Sequence, residues 1–154
     1  MSYKIEEHGA FLVIGIDART SNSGTAIGEL WGRFLSEDLS QKIPNRSDAE
    51  TSVTVYTEYE SDHTGEYRAI VGCPVTTLDE IPDGMVGYEV PDGSFACYRS
   101  EGIPPQSTVR IWQEIWKEEG YERAYIADVD IYNDQSFDPE EPWSVTRVGV
   151  GGSS

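Results

Sequence analysis

Two carboxylates interrupt an otherwise apolar run, Ala124-Tyr-Ile-Ala-Asp-Val-Asp-Ile-Tyr132. As a β-strand, this run places Ile126, Asp128, Asp130 and Tyr132 on one face and Tyr125, Ala127, Val129 and Ile131 on the other. The second set reads as core beneath helices. The first is harder to place, because Asp has poor strand propensity and its desolvation is costly unless it is paired or faces water. Two readings follow: a solvated outer face, or a recessed acid in an aromatic-lined pocket. Aromatic side chains are available for such a pocket. In Val55-Tyr-Thr-Glu-Tyr59 the alternation puts Tyr56 with Glu58 and against Thr57 and Tyr59, so both tyrosines reach one pocket only if a bulge intervenes. Tyr59 is therefore read as structural. Trp112 and Trp116 share one stripe of a helix, the usual position of core residues, and a Trp there can also form a pocket wall.

Other chemistries find no pattern. Cys73 and Cys97 lie in apolar stretches and make no metal-ligand spacing with His8 or His63, so they read as buried reduced thiols without a metal or nucleophilic role. Asp128-Val-Asp-Ile-Tyr-Asn-Asp134 lacks the glycine and terminal glutamate of an EF-hand loop. Neither Ile14-Gly-Ile-Asp17 nor Gly24-Thr-Ala-Ile-Gly28 matches a phosphate-binding loop. The sequence predicts no metal and no cofactor.

The elements that must position these residues follow from periodicity. Extended structure begins near residue 3, and segment 10–19 is a strand. After a Ser-Asn-Ser-Gly turn, Ile27, Leu30, Trp31, Phe34 and Leu35 recur at helical spacing, and the helix ends before Pro44. Thr51 to Tyr59 and Tyr67 to Val75 form a hairpin. Segment 86–100 reads as strand, turn at Pro91-Asp-Gly93, and strand. Past Pro104-Pro105, Val109, Trp112, Ile115 and Trp116 mark a second helix ending near Gly120. Strand 124–132 and a final strand from Trp143 to Val150 close the chain. The prediction is an α+β fold in a single domain over 1–154, with β-α-β-β repeats at approximately 10–76 and 86–150. An antiparallel curved sheet would carry both helices on one face and leave the other free, with a groove between the halves.

The 154 residues suffice for one domain, and 38% apolar with 11% aromatic content is too much packing material for a disordered chain. Against 28 acids stand only 11 Lys and Arg, for a formal charge of −17. That leaves no basic stripe for a phosphate backbone or an anionic membrane. No apolar run nears the roughly 20 residues that span a bilayer. Direct nucleic-acid and membrane partners are thus excluded, and the start of the chain lacks the plan of a signal peptide or room for a helix-turn-helix, which predicts a cytoplasmic protein without a DNA-binding segment of its own. The acids concentrate late: net −3 over residues 1–50 and −14 over 51–154. Such an excess keeps a surface solvated or draws in cations.

Taken in order, Val55-Tyr-Thr-Glu-Tyr-Glu-Ser-Asp-His-Thr-Gly-Glu-Tyr67, Ile70-Val-Gly72, Phe95-Ala-Cys-Tyr98, Ile111-Trp-Gln-Glu-Ile-Trp116 and Tyr125-Ile-Ala-Asp-Val-Asp-Ile-Tyr132 resemble the GyrI-like effector-binding domain family over approximately residues 3–150. That family comprises the ligand-sensing domains of AraC-type and MerR-type multidrug regulators and free-standing proteins of the same fold, some carried on integron cassettes. The resemblance implies a duplicated β-α-β-β fold with a cleft between the halves. It also implies a small-molecule partner, an amphipathic and often cationic aromatic compound, held by aromatic side chains and a buried acid that is usually Glu. Carried onto this chain, the acid is Asp130, one methylene shorter, and Tyr56, Tyr98, Trp112, Trp116 and Tyr132 are the candidate walls. Delocalised cations are weakly hydrated, stack on such walls for about 0.5–2 kcal/mol per contact, and are selected over neutral compounds by a poorly solvated carboxylate. The family implies two alternatives: a hydrolase of electrophilic genotoxic compounds in the same cleft, with Asp130 as general base, and a gyrase-inhibitor-like protein that offers an acidic surface to a basic partner.

Overall fold

The computed structural model describes residues 3–21, 24–48, 50–61, 65–104, 106–133, 136 and 138–151. His63, Asp134 and Pro105, and the Asn22-Ser23 part of the first turn, lie outside the described residues. The elements are β1 (Lys4–His8), β2 (Phe11–Thr20), α1 (Ala26–Ser36), β3 (Ser52–Thr57), β4 (Tyr67–Val75), β5 (Val86–Val90), β6 (Gly93–Glu101), α2 (Gln106–Lys117), β7 (Arg123–Tyr132) and β8 (Trp143–Val150). They form an α+β fold with one eight-stranded antiparallel sheet in the order β1-β6-β8-β7-β3-β4-β2-β5. The α1 stripe buries Leu30 and Phe34, and the helix stops eight residues before Pro44 because Asp38 turns left-handed at φ 49°. A short 3-10 turn, Leu39–Lys42, then returns Leu39 and Ile43 to the core.

The predicted strand-turn-strand at 86–100 is not a hairpin. β5 pairs with β2, whereas β6 pairs with β1 and β8. The reason lies in the long strands. β1 and β2 are parted only by Gly9-Ala10, and β5 and β6 only by Pro91-Asp92. Pairing runs from Lys4↔Cys97 to His8↔Gly93 and resumes in the same register from Phe11↔Val90 to Gly15↔Val86. Two bent strands therefore lie side by side over residues 4–15 and 86–97, and they tie opposite ends of the sheet together.

This connection forces the sheet to curl, and the curl decides where the cores sit. Strand alternation sends Val13, Val53, Val55, Ile70, Val90, Ala127 and Val129 to the face without helices, where each is at most 2% exposed. The expectation of a free face is thus corrected: the sheet folds over its own apolar residues and fills that side. Across the sheet, α1 packs on Ile14, Ile16, Ala69, Val71 and Cys73 of β2 and β4, and α2 packs on Ala96, Tyr98 and Val148 of β6 and β8. The central strands β3 and β7 lie between the two helices, which opens the cleft on the helix-bearing face.

Tight curling also explains a glycine pair. Gly15 and Gly72 are register partners on β2 and β4, and a Cβ on either would stand 2.1 or 2.2 Å from a backbone carbonyl of the other strand. Neither strand can yield without breaking the ladder. Gly15→Ala and Gly72→Ala are each expected to lower the unfolding free energy by about 2–3 kcal/mol in urea denaturation. A loss under about 0.5 kcal/mol would show that the strands part freely.

Candidate functional site

The floor of the cleft is built by β3 and β7, whose ladder sets Thr54 against Asp130 and Tyr56 against Asp128. Both acids and Tyr132 point to the helices, and Ala127 and Val129 point away. This reverses the predicted faces. The apolar set serves the second core, and the acids find hydrogen-bond donors beneath the helices.

Asp130 is 1% exposed. Tyr56 donates its hydroxyl to Oδ2 at 2.5 Å, Thr146 on β8 donates to Oδ1 at 2.5 Å, and the Trp112 indole N–H lies 3.1 Å from both oxygens. All three donors are neutral. Burial pushes the carboxyl up to about 6, opposed by these hydrogen bonds.

Asp128, with no exposed surface, is bonded differently. Arg123 Nη2 lies 2.7 Å from Oδ2, the Gly149 N–H donates to Oδ1 at 2.8 Å, and Tyr59 donates its hydroxyl to Oδ2. Burial raises this carboxyl too, with the Arg123 charge opposing. The phenols of Tyr56, Tyr59 and Tyr132 are raised above their ordinary range, chiefly by burial, and so remain neutral.

Two breaks in strand geometry bring Tyr59 and Arg123 to this place. Glu58 adopts φ +51°, which breaks the alternation and lets Tyr56 and Tyr59 line the same cavity. The bulge condition set by parity is met in this form. On β7, Tyr125 adopts φ +55° and the pairing with β8 shifts between Arg123 and Asp128, so two residues at an odd spacing meet.

Above the floor lies a cavity of about 600 Å³. Its walls are Ile27, Trp31 and Leu35 of α1 and Thr108, Val109, Trp112 and Trp116 of α2, over Thr54, Tyr56, Tyr59, Tyr67 and Tyr132. Ring edges meet ring faces at Trp31–Tyr132 (5.4 Å between centroids) and Tyr56–Trp112 (5.2 Å). The Trp31 indole donates to Thr54 Oγ1 at 2.8 Å, a counterpart of the Trp112 contact with Asp130. Arg123 is the one charged side chain among the described lining residues.

Of the predicted site residues, Tyr56, Trp112, Trp116 and Tyr132 line the cavity, with Trp116 at the rim, 38% exposed. Asp130 sits directly behind Tyr56 and Trp112 and does not itself form the lining. Tyr98 is not on the cavity. It is buried under α2, where its hydroxyl lies 2.6 Å from that of Tyr121. The sequence reading missed Trp31, Tyr59, Tyr67 and Arg123. Trp31 carried a signal, its place on the apolar stripe of α1, but that signal equally marks core.

Outside the cavity, the fold does what spacing could not show. Cys97 Sγ lies 3.6 Å from His8 Nε2, and Glu6 Oε1 lies 2.9 Å from the same nitrogen, so a Cys, a His and a Glu meet on β6 and β1. Burial and the Glu6 carboxylate push this thiol up to about 12. Both cysteines are free, Cys73 buried and Cys97 partly so.

A curved antiparallel sheet with two helices flanking an aromatic cleft defines a domain of the GyrI-like effector-binding class. Within it, the chain belongs to the family described as integron-associated effector binding protein, whose model matches residues 4–145. The transcriptional regulator BrlR of Pseudomonas aeruginosa is 29% identical over 145 residues, which are 92% of this chain and 52% of BrlR. The chain thus spans about half the length of that relative. The putative transcriptional regulator YobU of Bacillus subtilis is 24% identical over 133 residues, 82% of this chain and 83% of YobU. Among solved structures, an integron cassette protein from the mobile metagenome of Vibrio cholerae superposes with a TM-score of 0.77 at 26% identity, covering 97% of this chain and 96% of its own. SAV2435, solved bound to tetraphenylphosphonium, superposes at 0.80 with 15% identity, over 99% of this chain and 95% of its own, and shows the fold alone. Among the described residues, no helix is long and apolar enough to cross a membrane.

The buried Asp130 has a consequence for stability. Its folded carboxyl, at about 6, binds a proton that the unfolded one, near 3.8, has released, so stability falls as pH rises from about 4 to about 6, by on the order of 3 kcal/mol. A difference between two proteins isolates the contribution of this one group. The measure is therefore the difference between wild type and Asp130→Asn, by chemical denaturation at pH 4.5 and 7.5. The variant is expected to gain about 2 kcal/mol on wild type between the two pH values, since part of the effect is already lost at pH 4.5, and an unchanged difference would mean that Asp130 does not carry the linkage.

Proposed function

We propose that the protein binds small amphipathic aromatic compounds in the cleft between α1 and α2 and favours those with a delocalised positive charge. One observation carries this reading: an aromatic cavity stands over a buried carboxylate, Asp130, whose three donors are all neutral. Ionised Asp130 is then a buried charge without a counter-ion, which is expensive until a cation arrives.

Asp130 acts through its neighbours rather than by touching the ligand. Tyr56 and Trp112 donate to it and face the cavity, and a phenol or indole that donates to a carboxylate gains electron density on its ring. Such rings attract cations more strongly. The methylene missing relative to Glu fits this arrangement, because it keeps the carboxylate behind the two rings. SAV2435, of the same fold, is described as bound to tetraphenylphosphonium, a cation clothed in aromatic rings, which supports this ligand class. A place in the cytoplasm belongs to the same reading, in keeping with relatives described as transcriptional regulators.

The test is a titration with a fluorescent monocationic dye. At a distance of roughly 7 Å and an effective dielectric of about 20, loss of the Asp130 charge removes about 2 kcal/mol, so Asp130→Asn is expected to bind roughly thirtyfold more weakly at pH 7.5. With a carboxyl at about 6, wild-type affinity is expected to rise roughly tenfold from pH 5 to pH 7, and that of Asp130→Asn to stay flat over the same range. Equal affinity of the two proteins at pH 7.5 would remove Asp130 from the site.

A further inference from the structure

The charges around the cavity do not cancel, and the way they fail to cancel is specific. Arg123 has a side chain only 8% exposed and a guanidinium 2.7 Å from Asp128. Its planar group stands over Tyr125 at 4.5 Å, Trp112 at 5.4 Å and Tyr59 at 5.9 Å from the ring centroids. Nε and Nη1 are buried and have no hydrogen-bond acceptor among the described residues, and these rings stand around the group. A carboxylate and three aromatic rings form the kind of cage that suits a cation. Here the chain fills it with a cation of its own. Among the described residues Asp130 has no such partner, because each group that donates to it is neutral.

We infer that Arg123 sets the number of charges the cavity accepts: by neutralising Asp128 it leaves one uncompensated carboxylate, so the site takes aromatic ligands with one delocalised positive charge and discriminates against dications of the same ring system. This rests on the reading of Asp130 as the charge that selects cations. A second positive charge meets the fixed guanidinium in a poorly solvated space, where repulsion between like charges is only weakly screened. Arginine suits the role because it stays protonated even when buried and because its flat group stacks on rings.

Titration of the full chain with ethidium and propidium, which share a phenanthridinium ring and carry one and two positive charges, tests the inference. At 0.15 M salt the acidic exterior is largely screened. Wild type is expected to bind ethidium about tenfold or more tightly than propidium. Arg123→Gln brings the local charge to minus two and is expected to shift that ratio about tenfold towards propidium. Asp128→Asn brings it to zero and is expected to weaken both dyes even though Asp130 is intact. The double variant Arg123→Gln/Asp128→Asn restores minus one without leaving either charge unpaired, which protects folding, and is expected to return the ratio towards wild type. Thermal unfolding with and without dye confirms that each variant is folded. Binding of both dyes without preference by wild type, or a ratio unmoved in Arg123→Gln, overturns the inference and leaves the Asp130 reading standing. A double variant with the ratio of Arg123→Gln overturns it as well. Failure of wild type to bind either dye sinks the cation-site reading and this inference with it, and that outcome is distinct from the others.

Discussion

Burying a carboxylate without a cation beside it sets the terms for everything around the cleft. Asp130 on β7 is held by Tyr56 from β3, Thr146 from β8 and Trp112 from α2, so one side chain joins four elements. Each donor is committed by this role. Tyr56 must stand upright on its strand, and Trp112 must turn its N–H to the sheet, which sets both rings against the space between the helices. If α2 moved over β7 to close that space, Trp112 would lose its geometry and the charge one of its donors. The cavity stays open because the acid beneath it has to be satisfied.

The same economy runs through the rest of the fold. Each helix covers one pair of strands, α1 over β2 and β4 and α2 over β6 and β8, and the floor between them is polar and aromatic. Apolar residues from that floor are not wasted. Ala127 and Val129 turn to the other face, where the curled sheet closes on Val13, Val53, Val55, Ile70 and Val90. Two faces of one strand thus serve two purposes, acids satisfied by hydrogen bonds above and cohesion below, and the curl fixed by the β1–β2 and β5–β6 joints makes the second possible.

Periodicity made much of this legible. The apolar spacing of Ile27 to Leu35 and of Val109 to Trp116 gave the helices, and the alternation of residues 124–132 gathered Asp128, Asp130 and Tyr132 on one face. What it could not tell was which face turned to the helices, because a sheet that folds over itself creates an interior with no helix to announce it. The joint at Pro91-Asp92 read as a turn for a like reason: local chemistry marks a bend, and only long-range pairing decides whether the two arms meet. Tyr59 and Arg123 escaped because each depends on one residue of positive φ, Glu58 and Tyr125, neither of a type that advertises it. Tyr98 was misplaced for the opposite reason: a buried tyrosine with a satisfied hydroxyl looks in sequence like a pocket wall.

The two tryptophans hold a last implication. Trp31 and Trp112 come from opposite helices and set their indole N–H groups on Thr54 and Asp130, which face each other across the β3–β7 ladder. The walls are therefore near mirror counterparts in role, and their anchors are not, since one is a hydroxyl and the other an acid. A compound of roughly symmetrical outline would find two equivalent ways to lie in a cleft anchored alike on both sides. On the proposed reading the two orientations would differ in energy, and a single carboxylate behind the rings would tell a guest which end goes where.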